Sequence, residues 1–312
     1  MKRLFSKLTI ALAALAAAWS CNGGSNDSVD GNATEATADT LALCVAVMPT
    51  LDCLPIYVAA ESGLFERESL SVSLVPFTAH MDCDTAIAGG TVHAMPTDLV
   101  RAEQLVLQGT PLRYVAATDL QWQLLTAKTA RIKKLQQMDD KMVAMTRYSA
   151  TAMLADHLVD SARLQTERVF RIQVNDVLVR LNMMETGVID AMLLPEPQAT
   201  VARALGCNML YDSGADSMAM GVVAFSENAL KDTLRRQQMA AFIRACDAAC
   251  DSINTLGLTH YLSLIASRCH VTEAMADSMA KQHPPRYAHA LPPRQRDIER
   301  AREWLSKAKS AN

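Results

Sequence analysis

Leu51 to Phe77, LDCLPIYVAAESGLFERESLSVSLVPF, followed by Thr78 to Asp98, TAHMDCDTAIAGGTVHAMPTD, decides the fold of this 312-residue chain. Asp52 and Cys53 stand in a loop after the apolar run Leu41 to Met48. Pro55 opens a segment with apolar residues at helical spacing, Ile56, Tyr57, Ala59 and Ala60. Proline suits a first helical turn because the N–H it lacks would be unpaired there anyway. Gly63 ends that helix, and Leu70 to Val75 alternates like a half-buried strand. A second helix is expected from about Asp84 to Ala88, ending at Gly89-Gly90. A short strand, Val92 to Met95, then ends in Thr97-Asp98. Strand, loop and helix repeat, and the polar residues gather in the loops after strands. In open α/β sheets those loops form the ligand crevice.

The same alternation continues downstream. Leu112 to Thr118 reads as a strand, with Gln121 to Ala127 extended after it. Lys141 to Thr146 is a strand, and a long amphipathic helix follows from about Ala150 to Ser161, with Ser149 and Thr151 as capping candidates in its first turn. Phe170 to Val174 is a strand and Asn175 to Met184 a helix. Ile189 to Leu194 is a strand ending at Pro195-Glu196-Pro197, and Thr200 to Leu205 is a helix closed by Gly206. Gly221 to Ser226 is a strand. From Glu227 onward the chain reads as helical, closing with a charged amphipathic helix from Arg294 to Lys309.

Several motifs occur in order. Pro55 to Phe65 reads P-x-Y-V-A-x-E-x-G-L-F, and Ser69 to Leu74 reads S-L-S-V-S-L. Gly90 to Ala94 and Thr97-Asp98 continue the pattern. Met184, Gly187, Ile189, Asp190 and Ala191 then lead into Leu193 to Gly206, LLPEPQATVARALG. With these motifs the chain resembles the periplasmic solute-binding proteins of the sulfonate/nitrate/thiamine-precursor family of ABC transporters, over roughly residues 41 to 305. The resemblance implies an α/β, two-lobed periplasmic binding protein of type II, each lobe a mixed sheet flanked by helices, with two crossover strands. Residues 41–120 and 222–312 would form lobe one, and residues 121–221 lobe two.

The N-terminus is a separate signal. Lys2, Arg3 and Lys7 precede the apolar run Leu8 to Ala18, too short to span a bilayer as a mature helix. Residues 1–20 read as a secretory signal peptide. Ala-Ala-Trp-Ser-Cys21 resembles a bacterial lipoprotein box that would lipidate Cys21, although Trp19 departs from the small or aliphatic residue usual there. An ordinary signal peptide cut nearby is the other reading. Lipid on Cys21 would anchor the chain to a membrane. Residues 21–40 contain almost no large apolar side chains and read as a disordered tether.

Half of the chain is hydrophobic, a fifth is charged, and the net charge is −3. That balance argues against a nucleic-acid surface, which would be basic. Apart from Cys21, seven cysteines remain: Cys44, Cys53, Cys83, Cys207, Cys246, Cys250 and Cys269. An odd number leaves at least one unpaired. Cys246 and Cys250 share a helical face in poor disulfide geometry. Most read as small buried apolar residues, with a Cys53–Cys83 staple as an alternative.

The resemblance implies a hinged monomer that closes on a small molecule and presents it to an ABC permease and its ATPase. Lobe-one ligand candidates are Asp52, Asp82, Thr97 and Asp98. Lobe-two candidates are Tyr148, Ser149, Thr151 and Glu196. Trp122, beside Gln121 at the first crossover, either stacks on the ligand or packs the hinge. Each has a plainer reading: Asp52 and Asp82 as helix caps, Glu196 as hinge support, Tyr148 as packing. The lobe-one loops hold Asp52, Asp82, Asp84 and Asp98, with His80 the only potential cation among them. A compact anion would be repelled there. The expected ligand therefore carries an amine or ring N–H: an amine-bearing sulfonate such as taurine, or a pyrimidine thiamine precursor. The Asn-His pair associated with thiamine-precursor binders is absent.

No catalytic residue, cofactor or metal is assigned. Neither a Gly-rich phosphate loop nor Gly-x-Ser-x-Gly occurs. The string His80-Met81-Asp82-Cys83-Asp84 lacks the second ligand cluster that structural zinc wants. Two alternatives remain: a ligand-sensing surface lipoprotein without a transporter, and an enzyme of the same fold, either a pyrimidine synthase or a dehydratase.

Overall fold

A computed structural model describes residues 41–310 apart from 217, 219 and 283. The signal peptide, Cys21 and the tether lie outside the described residues. The strands in chain order are β1 Leu43–Val47, β2 Val72–Pro76, β3 Ala94–Asp98, β4 Leu112–Thr118 and β5 Gln123–Thr126, then β6 Lys141–Met145, β7 Val169–Gln173, β8 Ala191–Leu194, β9 Asn208–Asp212 and β10 Gly221–Ser226. They form two mixed five-stranded sheets, in the orders β2-β1-β3-β10-β4 and β7-β6-β8-β5-β9. β1, β3, β8 and β10 are buried nearly end to end, as expected of central strands covered on both faces.

The helices are α1 Leu54–Glu61, α2 Leu64–Arg67, α3 His80–Ala88, α4 Leu99–Leu107, α5 Ala150–Ser161 and α6 Val177–Thr186, followed by α7 Gln198–Ala204, α8 Thr233–Leu256, α9 Leu262–Cys269, α10 Glu273–Gln282 and α11 Gln295–Ser310. Among the described residues no helix is long and apolar enough to cross a membrane. This is the fold of a two-lobed periplasmic binding protein.

One core joins the first sheet to α1, α8 and α9, with Phe242 stacked on Phe65 and edge-on to Phe225. A second spans the two sheets: Leu99 and Val100 of α4 and Ala301 and Leu305 of α11 pack with Trp122, Leu124 and Leu154. Trp304 Nε1 donates to Asp156 in α5 at 2.9 Å. A third fills the far face of the second sheet with Leu125, Ala144, Met192 and Leu194 against α6 and α7. The connections cross tightly: a Cβ on Gly221 would press on Thr118 Oγ1 and lie 2.6 Å from Leu120 Cβ.

Most expected elements are present, α5 and β10 at the expected bounds. Three differ. The helix expected near Asp84 begins at His80, because Ala79 bridges to Asp176, the cap of α6, and sets its first turn from outside. The strand expected to end at Met95 runs to Asp98, held by antiparallel pairing to β10. Helices α2 and α4 and edge strand β9 answer to no expectation. The seven described cysteines are free, so Cys53 and Cys83 are not joined; Cys83 Sγ lies 3.7 Å from Met48 Sδ.

Candidate functional site

Two spaces open where the sheets face each other. The larger, about 680 Å³, lies beside the crossovers. The first-sheet side supplies Asp52, Thr118 and Asp119, the second supplies Gln123, Glu196 and Asp212, and Leu120 and Gln121 run between. The segment Pro284 to Arg286 and Arg294 close one side. Most of its acids already have partners. Glu196 accepts from Thr200 N, Thr200 Oγ1, Gln123 Nε2 and Arg203 Nη2. Asp119 accepts from Gln121 Nε2 and from Arg286 N. Asp212 accepts from Gly214 N.

Asp52 is the exception. It sits in a 3-10 turn, Leu51–Cys53, just before α1, and forms part of the cavity wall. It is 8% exposed, and neither carboxyl oxygen has a hydrogen-bond partner among the described residues. Burial pushes its pKa up to about 6, against a smaller lowering pull from the neighbouring Thr50 hydroxyl and its own backbone N–H. It caps no helix: the turn and α1 both lack a side-chain cap. A buried carboxylate without donors is costly, and a cationic donor brought alongside would offset that cost.

The smaller space, about 20 Å³, is close to what one water molecule needs. Thr50, His80, Asp98, Arg101, Trp122, Thr146, Ser149, Thr151 and Arg180 are among its walls. Here most carboxyl, hydroxyl and backbone groups have protein partners, although His80 Nε2 and Arg101 Nε have none among the described residues. Asp98 caps α4 by accepting from Arg101 N at 3.0 Å, and the same oxygen accepts from Ala150 N at the start of α5 at 2.9 Å. One carboxylate thus fastens helices that follow strands of different sheets, near the positive end of α5. Burial outweighs those bonds and holds its pKa at about 6. Ser149 caps Thr151 N, and Thr151 Oγ1 accepts from Thr146 N. Arg180 donates to Val174 O, Leu193 O and Thr146 Oγ1, gathering the ends of β6, β7 and β8. Burial lowers its pKa to about 10.

Further bonds fasten the sheets around this chamber. Gln198 Nε2 donates to Pro49 O at 2.7 Å and to Cys269 O at 3.2 Å. Leu51 N donates to Glu196 O, Val177 N donates to Thr78 O, and Thr78 Oγ1 donates to Asp176.

The profile of the NMT1/THI5 like family matches residues 50–254, a span that holds both spaces' strand-end loops. The chain belongs to the NMT1/THI5-like family. No curated protein matches it by sequence. Solved structures share the fold at low identity. A zinc-bound ligand-binding component of an ABC-type import system from Staphylococcus aureus aligns with a TM-score of 0.73 at 13% identity, over 86% of this chain and 92% of that one. The periplasmic aliphatic sulphonate-binding protein SsuA from Escherichia coli gives 0.68 at 16%, over 86% and 87%. The periplasmic nitrate-binding protein NrtA from Synechocystis gives 0.66 at 10%, over 82% and 74%.

In this NMT1/THI5-like protein the sequence candidates divide. Asp52 and Glu196 wall the larger cavity. Asp98, Trp122, Ser149 and Thr151 wall the small chamber. Asp82 is exposed on α3, Thr97 is fully buried in β3 with Oγ1 unpartnered, and Tyr148 is half-buried at φ 52°, packed against the core that spans the two sheets. Neither space has these three in its wall.

One expectation needs correction. His80 is not the only potential cation by the first-sheet loops. Arg101 reaches back from α4 to bind Asp84, and burial holds His80 neutral with its pKa near 3. Arg101 and Arg180 were missed because they sit inside helices rather than loops. An arginine flanked by Val177, Leu178, Val179 and Leu181 was the available signal for Arg180. Gln123, Asp119 and the proline-bearing segment before α11 carried no sequence signal of a shared cavity.

Proposed function

We propose that this chain is the lipid-anchored extracytoplasmic solute-binding component of an ABC importer, and that it captures a small organic solute bearing a cationic group. In this reading residues 1–20 are removed as a signal peptide, Cys21 carries lipid, and residues 21–40 tether a monomer to the membrane. Residues 41–120 and 222–312 form lobe one, residues 121–221 form lobe two, and hinge closure presents the solute to a permease and ATPase. Amine-bearing sulfonates and pyrimidine thiamine precursors are the first candidates.

The observation that carries the ligand class is Asp52, a buried carboxylate without a hydrogen-bond partner among the described residues, in the wall of a cavity within the usual size range for small-molecule sites. The direction of the fold relatives supports the transport role. The test is a thermal-shift screen of the purified protein with taurine, alkanesulfonates, nitrate, aminopyrimidines, thiamine and polyamines. A true ligand at a hundred times its Kd stabilises by about 2.7 kcal/mol, a shift of several degrees. An amine-bearing hit that Asp52→Asn abolishes supports the reading. A shift with simple sulfonates or nitrate alone refutes the cation and points to the small chamber, where an oxyanion would displace Asp98 from Ala150 N.

A further inference from the structure

Behind Asp52 lies another cavity, of about 250 Å³, and its walls are mostly apolar. Val115, Ala116 and Val223 form its floor, and Phe242, Ile243 and Cys246 of α8 form its side. Its roof is the segment Pro285 to Ala290. That segment forms no helix or strand and is strapped down at several points. Arg286 N donates to Asp119, Ala290 N to Asp247, and Ala117 N to Leu291 O. Asn254 Nδ2 donates to Tyr287 O, and Tyr287 Oη donates to Leu51 O beside Asp52.

The apolar cavity and the larger polar one share Asp52, Thr118, Asp119, Pro285 and Arg286 as wall. The unpartnered carboxylate therefore stands at the boundary of a polar space and an apolar one. A wholly polar solute would use only the first. An engineered apolar cavity of about 150 Å³ binds benzene, so one of 250 Å³ has room for a ring with a short alkyl link. Phe242 is braced by Phe65 and Phe225, so this wall cannot readily collapse inward.

Resting on the cationic-solute reading above, we propose that the ligand is amphipathic: its ammonium or protonated ring nitrogen meets Asp52, and an aryl or alkyl group enters the apolar cavity under the 285–290 strap. Tail burial supplies affinity and the salt bridge supplies orientation.

The test is calorimetric titration of the purified protein at pH 7.5 with phenethylamine, ethylamine and 3-phenylpropionate. Phenethylamine should bind about a hundredfold more tightly than ethylamine, as expected from burying a phenyl group. Phenylpropionate should not bind, and Asp52→Asn should weaken phenethylamine at least about tenfold. Ala116→Leu fills the cavity and should shrink the phenethyl advantage below about fivefold. Cys246→Leu is the second filling variant should the first fail to fold by circular dichroism. Equal affinity for the two amines, with both weakened by Asp52→Asn, overturns the amphipathic ligand and leaves the cationic reading intact. Binding of phenylpropionate as tightly as phenethylamine, no amine binding, or insensitivity to Asp52→Asn overturns both.

Discussion

Asp98 and Asp52 are a controlled pair. Asp98 ends a first-sheet strand and Asp52 lies in the turn after another, both are buried, and burial lifts both to a pKa of about 6. Their partners differ. Asp98 accepts from two backbone N–H groups, one from α4 and one from α5, while Asp52 accepts from none among the described residues. Burial alone therefore does not mark a ligand group. The Asp98 carboxylate is held by the protein's own backbone donors, and the buried Asp52 carboxylate is left without a hydrogen-bond partner among the described residues. The first reads as a clasp between the sheets and the second as a site.

The comparison is broken most forcefully at the clasp. Arg180→Met removes three donors that join the ends of three strands. Urea unfolding should show a loss of about 3–5 kcal/mol, the range for orphaned buried polar partners. A loss under about 1 kcal/mol would mean the chamber is not a structural anchor. Asp98→Ala leaves Arg101 N and Ala150 N without their acceptor and should cost about 2–3 kcal/mol. Asp98→Asn keeps a carbonyl acceptor and should cost less.

At the site the sign reverses. Asp52→Asn removes a buried charge that has no donor, so the ligand-free protein should gain about 1–2 kcal/mol at pH 7.5. If both aspartates destabilise on substitution, the distinction between clasp and site fails. The smallest effect is the pH profile. Both groups hold protons more tightly in the fold than in the unfolded chain. Their stabilisation is complete below the usual carboxylate range and is lost as the pH rises through about 6. Melting temperature should therefore climb from pH 7 toward pH 5 on their account, with a shallower climb in Asp52→Asn. Amine binding should run the opposite way and weaken as the pH falls through 6, because Asp52 must be ionised to pair.

Local signals carried most elements because they coincide with local physics. Ser149 caps its own helix, so Ala150 to Ser161 could be bounded from the sequence. Gly63 at φ 65° ends α1's run where a side chain would be strained. The misses share the opposite cause. The start of α3 at His80 depends on a bridge from Ala79 to Asp176, 97 positions away, and the end of β3 depends on β10. Helix α4 has its cap in Asp98, whose second partner, Ala150 N, lies 52 residues further on and out of reach of any local signal.

By itself the sequence determined the α/β alternation, the family and the presence of carboxylates in the loops after strands, because periodicity, caps and glycine turns act over a few residues. Only the tertiary structure decided which partners those carboxylates have. A side chain's chemistry depends on which donors the fold brings within hydrogen-bond reach, and those donors come from the other sheet, from helix interiors and from the strap before α11. Asp52 and Asp98 are the same residue type at the same end of the first sheet's strands; the long-range packing of the chain gave hydrogen-bond partners to one and left the other without them.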